Sequence, residues 1–240
     1  MANLIIDIGN TFCKVAVFEN QVLTQFFKIK DIEVTTLKKN IDFSEISLFL
    51  VSSTRQKPTE LLNDLSQFGK CLWLEHHFSF PFTNKYATPD TLGKDRLALA
   101  ASACLEFKNK DTLVIDAGTC ITYDIITSKN EYLGGAISPG LEMRFKALNT
   151  FTEKLPLLEP KHPEDLIGKD TQDSILSGIV NGTALEIDGV INEYKKRFPN
   201  LNVVLTGGDQ LFFAECIKNN FFARPEFLLK GLNYIAELNA

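Results

Sequence analysis

Short apolar runs that stop at polar turns open the chain. Leu4-Ile5-Ile6 ends at Asp7 and the turn-forming Gly9-Asn10, and residues 14–18 read as a second strand. Glu19-Asn20-Gln21 then turns into a third strand over 22–29, so the start of the chain is predicted to be an antiparallel meander. A helix is expected around 35–39. Residues 47–53, apolar on both alternating sides, read as a buried strand. A helix over 58–68 with Pro in its first turn and a strand over 71–74 follow. Residues 81–92 are rich in Pro, Thr and Asn and read as irregular; they lead into Gly93-Lys94-Asp95-Arg96 and an Ala- and Leu-rich helix over 97–107. The charged break Lys108-Asn109-Lys110-Asp111 is the best place for the first half to end.

Beyond that break the pattern begins again. Leu113-Val114-Ile115 ends at Asp116 and Gly118, residues 121–126 read as a second strand, and Lys129-Asn130-Glu131 turns into Tyr132-Leu133 and a glycine-rich segment over 134–140. A strand–motif–strand–turn–strand unit occurring twice is what two copies of one domain would produce. Helices over 140–149, 171–198 and 225–238 are expected in the second half, with a strand over 202–205 that ends in Thr206-Gly207-Gly208-Asp209.

Composition narrows the class. The 240 residues, 45% hydrophobic and 23% charged, are ordinary for a soluble globular protein. A net charge of -5 argues against a nucleic-acid partner, which needs a dense basic face. Five scattered cysteines without a CxxC pair disfavour a zinc site or a disulfide framework and favour a reducing cytoplasm. The N-terminus reaches Asp7 before a signal-like stretch could form, and no apolar run approaches the roughly 20 residues that span a bilayer. A cytoplasmic protein without membrane association is expected.

The two Asp-Gly turns carry the chemistry. Gly9 in a tight turn lets backbone amides face a phosphate where a side chain would collide. Thr11 offers a hydroxyl, Lys14 a positive charge, and Asp7 a carboxylate suited to Mg²⁺, which takes few carboxylates alongside phosphates and waters. Asp116, Gly118, Thr119 and Thr122 repeat that set, and two such turns facing each other could clamp a triphosphate. Alone, either turn is equally a hairpin with a solvated Asp. Gly207-Gly208 after a strand would let a base or ribose lie on bare backbone, or is simply a turn. Neither a Gly-x-x-x-x-Gly-Lys-[Ser/Thr] loop nor a Gly-x-Gly-x-x-Gly fingerprint occurs, which removes two common nucleotide folds. In Gly93-Lys94-Asp95-Arg96, Asp95 is either a helix cap or the acceptor of a substrate hydroxyl proton; Arg96 can bind a carboxylate with its planar fork. His76, His77 and His162 lack metal-ligand spacing and read as surface residues, and the nineteen Phe as core.

The set Asp7-x-Gly-Asn-Thr-x-x-Lys14, Gly93-x-Asp-Arg96, Asp116-x-Gly-Thr-x-x-Thr122, Gly134-Gly-x-Ile-x-Pro-Gly140 and Thr206-Gly-Gly-Asp209, in that order and over nearly the whole chain, resembles the type III pantothenate kinases. The resemblance implies an α/β fold of two ribonuclease-H-like, actin-like ATPase domains, here 1–110 and 111–240. Each would be a mixed sheet flanked by helices, with the active site in the cleft between them. It implies ATP-dependent phosphorylation of the primary hydroxyl of pantothenate, a homodimer, Mg²⁺, and a monovalent cation, K⁺ or NH₄⁺. Carried over by motif, Asp7, Ile8, Gly9, Asn10, Thr11, Phe12, Cys13, Lys14 and Thr119 are implied ATP contacts. Gly93, Lys94, Asp95 and Arg96 form the implied pantothenate loop, with Asp95 as proton acceptor, and Asp116 is the implied ligand of the monovalent cation. Tyr86 and Thr171 are implied substrate contacts, with Thr171 acting either within its own subunit or across the dimer. The rival readings are another small-molecule kinase or phosphatase of the same superfamily and a non-enzymatic transcription accessory factor.

Overall fold

The opening runs form β1 (Ala2–Ile8), β2 (Cys13–Glu19) and β3 (Val22–Ile29), an antiparallel meander in which Asp7 lies opposite Lys14. The computed structural model describes residues 2–240. On the other side of β1, β4 (Ile46–Ser53) runs parallel to it and β5 (Lys70–Trp73) parallel to β4, so the order is β3-β2-β1-β4-β5. Leu4, Ile5, Ile6, Phe49, Leu50 and Val51 are all inaccessible to solvent. Both faces of the two central strands are therefore covered, which is why their sequences run apolar rather than alternating.

The two faces have different covers. Leu4, Ile6, Ile8, Phe49 and Val51 share a core with Leu37 of α1 (Val34–Lys38) and with Leu61 and Leu65 of α2 (Thr59–Leu65). Because successive strand residues alternate sides, Ile5, Asp7, Leu50 and Ser52 face the other way. On that side lie α3 (Lys94–Glu106) and the C-terminal helix, residues Phe227–Leu238. These two helices touch backbone to backbone: a Cβ on Gly231 would come within 1.8 Å of the Ala98 carbonyl oxygen. The Ser102 hydroxyl donates to the Phe227 carbonyl at the same crossing. The alanines of α3 thus serve close approach as much as helix propensity.

The chain folds as two compact units, one holding the residues up to Asn109 with Asn130–Leu133 and Glu226–Ala240, the other Lys110–Lys129 and Gly134–Pro225. A two-residue strand in the first unit, β6 (Thr83–Asn84), pairs in parallel with Glu131 and Tyr132 inside the segment read as irregular. In the second unit β7 (Thr112–Ala117) pairs antiparallel with β8 (Cys120–Ile126), which is followed in the sheet by β9 (Glu131–Pro139). On the far side β10 (Asn202–Thr206) runs parallel to β7 and β11 (Phe222–Ala223) parallel to β10. The order β9-β8-β7-β10-β11 matches β3-β2-β1-β4-β5 strand for strand, with the same directions at β1/β2 and β7/β8 and at β1/β4 and β7/β10. The repeat seen in sequence is a repeat of structure.

Helices α4 (Leu141–Thr150), α5 (Thr171–Leu176) and α6 (Gly182–Arg197) bury Leu141, Phe145, Ile175, Ile187 and Ile191 against Leu113, Ile115 and Leu205 of the second sheet. The single helix expected over 171–198 is interrupted by a π-helical turn at Ser177–Asn181. By length and composition this stretch, Thr171–Arg197, could cross a membrane, contrary to the expectation that no segment would; half of its apolar window is buried within the protein, as in a core helix. A short helix, α7 (Gln210–Ala214), follows β10, and the C-terminal helix becomes α8.

Candidate functional site

The end of β1 delivers Asp7 to the face of the first sheet covered by α3. The turn after it is closed by the Gly9 amide donating to the Phe12 carbonyl at 3.2 Å. It is tied to the end of β4 by the Thr54 amide on the Ile8 carbonyl (3.3 Å) and by the Arg55 guanidinium on the Asn10 carbonyl. Asn10, Thr11 and Phe12 stay exposed, as a turn that receives a ligand requires, while Ile8 and Cys13 are buried and offer only backbone. Asp7 is 4% exposed, with the Lys14 ammonium 3.7 Å from its Oδ2. Burial pushes its carboxyl up to about 6; Lys14 pulls the other way, and the negative charge of Asp95 adds to the rise. Asp7 and Asp95 thus feel one another within the first unit.

Asp95 sits in the first turn of α3, and the capping reading does not hold: Gly93 is the N-cap residue and makes no side-chain cap. The Asp95 carboxylate instead accepts from the Arg96 amide at 2.8 Å. A Cβ on Gly93 would come within 2.3 Å of the Asp95 Oδ1, so glycine there keeps the carboxylate in place. Gly93→Ala is expected to lower turnover about tenfold or more with little change in melting temperature, because a displacement of about 1 Å at a catalytic carboxylate, the role the family resemblance implies for Asp95, costs far more in rate than in stability. Steady-state kinetics and thermal melting of the variant check this. Arg96 is 5% exposed, its guanidinium 5.6 Å from the Tyr86 ring centre and 6.0 Å from that of Tyr132, so three residues from separate segments form one cationic, aromatic-walled position. The Lys94 ammonium lies 3.6 Å over the Trp73 ring. Burial lowers its pKa, Glu75 opposes and Lys57 adds to the fall. Trp73 carried no signal in sequence, because a half-buried aromatic in a strand reads as packing.

In the second unit, Asp116 ends β7 opposite Thr122 of β8 and beside Thr206 of β10. The Gly118-Thr119 turn is closed by Gly118 N–H on the Cys120 carbonyl (3.0 Å), and Gly140 N–H donates to the Thr119 carbonyl (3.1 Å) just before α4. Gly207 has φ +102, and a Cβ there would fall 2.2 Å from the Ala117 carbonyl oxygen and 2.4 Å from the Asp116 Oδ1. Gly207→Ala is expected to destabilise the protein by about 1–3 kcal/mol, through left-handed backbone strain and displacement of Asp116; a urea melt measures it. Asp209 has a raised carboxyl pKa, chiefly from burial and then from Glu142.

Thr171, at the start of α5, is exposed and lines an open cavity of about 890 Å³ with Arg144, Leu155, Lys169 and Asp170. Arg144 donates to Ser138 Oγ (2.8 Å) and to Glu186 (2.6 Å), and Glu186 accepts from the Tyr123 hydroxyl at 3.1 Å. Burial works to raise the Glu186 pKa, but the bonds from Arg144, Ser138 and Tyr123 outweigh it and hold the carboxyl below its ordinary value. This network was missed in sequence because its members lie on β8, β9, α4 and α6. His77 is exposed as expected, but the other two histidines are not bare surface residues: His76 Nε2 meets the Leu92 carbonyl at 2.8 Å, and His162 lies between Cys216 (3.3 Å) and Glu215 (3.3 Å).

Among the described residues no group of three or more His, Cys, Asp or Glu could hold a metal ion. A divalent ion that arrives on a nucleotide needs no such cage, only a carboxylate and room for waters and phosphate oxygens. Asp7 fits that demand: it is one carboxylate beside a glycine turn, and the Ser52 hydroxyl next to it in register has no hydrogen-bond partner among the described residues.

A family model described as type III pantothenate kinase matches residues 3–193. A Christiangramia forsetii protein named type III pantothenate kinase is 48% identical over 239 residues, covering 99% of this chain and 98% of its own. Among solved structures, a Campylobacter jejuni protein described as a Baf family transcriptional activator superposes with TM-score 0.67 at 22% identity, covering 98% of both chains. The Clostridium difficile activator of 2-hydroxyisocaproyl-CoA dehydratase, solved with bound ADPNP, gives TM-score 0.56 at 13% identity over 99% of this chain and 93% of that one. At those identities the structures speak to fold alone, and the fold is that of the actin-like ATPases.

Proposed function

Since the chain belongs to the type III pantothenate kinase family, we propose that it transfers the γ-phosphoryl group of ATP to the primary hydroxyl of pantothenate, giving 4'-phosphopantothenate for coenzyme A synthesis. The observation that carries the reading is that the Asp95 carboxylate, held by the Arg96 amide, is followed in the chain by a buried Arg96 whose guanidinium lies against Tyr86 and Tyr132. An acceptor with a carboxylate at one end and a hydroxyl at the other suits a loop that carries a guanidinium and a carboxylate on neighbouring residues.

Asp95 takes the hydroxyl proton and aims the oxygen at the phosphorus, Arg96 holds the carboxylate of pantothenate, and Tyr86 walls the position. Gly93 and the backbone of Lys94 shape the loop; the Lys94 side chain secures it against Trp73. The amides of the Gly9 turn, Thr11 and Lys14 bind phosphate oxygens of ATP, with Thr119 as a further ATP contact. Asp7 holds the Mg²⁺ of the nucleotide, whose charge, when bound, stabilises the negative charge of the transferring group. Asp116 binds a monovalent cation, K⁺ or NH₄⁺. The chain works as a homodimer in the cytoplasm, and Thr171 contacts pantothenate.

An assay of ADP release with ATP and Mg²⁺, supplied with K⁺, NH₄⁺ or Na⁺ as the only monovalent cation, tests these assignments. Turnover dependent on pantothenate is expected with K⁺ or NH₄⁺ and is expected to fall in Asp116→Asn. Equal rates in all three salts would remove the cation role of Asp116, and no turnover in any would remove the function.

A further inference from the structure

Ser52 and Ser53 are adjacent at the end of β4 and both are buried, at 1% and 4% exposure. Ser53 has a structural task, since its Oγ accepts the Arg55 amide at 2.8 Å and so shapes the loop that ties down the Gly9 turn. Ser52 points to the opposite face, and its Oγ has no hydrogen-bond partner among the described residues. A buried hydroxyl without a partner destabilises a fold, and alanine fills the same place at no such cost. Its position gives the reason: Ser52 is the in-register neighbour of Asp7 on the parallel strand, so the two side chains stand side by side on one face of the sheet.

The second unit repeats the device. Asp116, which ends β7 as Asp7 ends β1, has Thr206 as its in-register neighbour on β10, the counterpart of β4, and Thr206 is 2% exposed. Each Asp-Gly turn thus stands beside a buried hydroxyl contributed by the parallel strand. A hydroxyl at this place twice, in sequences that otherwise differ between the copies, points to a task tied to the aspartate rather than to packing of one core.

We propose that Ser52 is a positioning residue for the nucleotide-bound divalent ion, its Oγ accepting a hydrogen bond from a water of the ion held by Asp7. The inference rests on the proposed ATP site at Asp7 but not on the acceptor substrate. A serine Oγ has lone pairs that can accept from a metal-bound water. Burial of the pair keeps bulk water from competing, which makes the bond worth more than at the surface.

Ser52→Ala separates this from a structural role. Binding of a non-hydrolysable ATP analogue is measured by calorimetry with Mg²⁺ and again with EDTA, alongside the melting temperature of the ligand-free protein. Affinity with Mg²⁺ is expected to weaken about fivefold, the worth of one ordinary hydrogen bond, while affinity in EDTA matches wild type. The ligand-free variant is expected to melt at or above the wild-type temperature, because an unsatisfied buried hydroxyl has been removed. Wild-type affinity with Mg²⁺ would overturn the proposal. So would a lower melting temperature with affinity lost equally in both buffers, which would make the hydroxyl structural. If wild type binds the analogue with Mg²⁺ yet does not phosphorylate pantothenate, the function fails while this inference stands.

Discussion

Asp95→Asn is expected to lower kcat by about 10²–10⁴-fold while both substrates bind close to their wild-type affinities. The substitution keeps shape: the asparagine oxygen can still accept the Arg96 amide that Asp95 accepts at 2.8 Å, so the first turn of α3 and the buried Arg96 stay in place. What is lost is the carboxylate proposed to take the hydroxyl proton as the phosphoryl group arrives. The change therefore falls on kcat and not on KM. Steady-state kinetics with either substrate varied, and a melting curve to confirm the fold, read this directly. Near-wild-type kcat would remove Asp95 from the chemistry. An equal loss in binding would reassign it to holding pantothenate.

The second large effect divides stability from activity. Asp7→Asn is expected to abolish turnover and yet make the protein more stable at pH 8. In the folded state burial raises the Asp7 carboxyl from an ordinary 3.8 to about 6, with Lys14 opposing and Asp95 reinforcing. The folded protein then binds a proton more tightly than the unfolded chain does. The stability tied to that proton is fully present below pH 3.8 and is lost as pH rises through 6. Above pH 6 the wild type carries a charged carboxylate in a poor place, at a cost of about 3 kcal/mol for a shift of that size. Asparagine removes the cost. Lys14, partly exposed and 3.7 Å away, loses a partner of small worth. The stabilisation of Asp7→Asn should therefore be greatest above pH 6, shrink through that range and vanish near pH 4. Chemical denaturation at a series of pH values tests this; a variant less stable than wild type at pH 8 would show that Lys14 dominates. By the same logic, wild-type kcat/KM should fall as pH drops below about 6, when Asp7 is protonated and cannot hold a cation.

The duplicated core was legible because its signals are local. Asp7-Ile8-Gly9-Asn10 and Asp116-Ala117-Gly118 both join an apolar run to a tight turn, and the same five-strand order followed at each. What escaped was long-range. Nothing in the α8 sequence says that it packs on α3 in the first unit rather than beside the strands that precede it; only Gly231 against Ala98 reveals that. Elements of two to five residues, β6, β11 and α7, are too short for a periodicity to emerge.

The candidate site divides the same way. Arg96, Asp95 and Asp7 were found because charged residues beside glycines in otherwise apolar settings stand out. Ser52 was not, since one serine in an apolar strand has no pattern and gains meaning only through its register with Asp7. The resemblance implies Lys94 as part of the substrate loop; that its ammonium rests on Trp73 is a pairing across distant sequence that spacing cannot supply.

The central claim is that this chain phosphorylates pantothenate, and the most direct test is to identify the product. Purified protein is incubated with ATP, Mg²⁺, K⁺ and pantothenate, and the mixture is resolved by mass spectrometry and phosphorus NMR. One equivalent of 4'-phosphopantothenate for each ATP converted to ADP is expected, with none formed by Asp95→Asn. ATP hydrolysed to free phosphate with pantothenate unchanged, or phosphate carried to a sugar from a mixed panel instead, would contradict it.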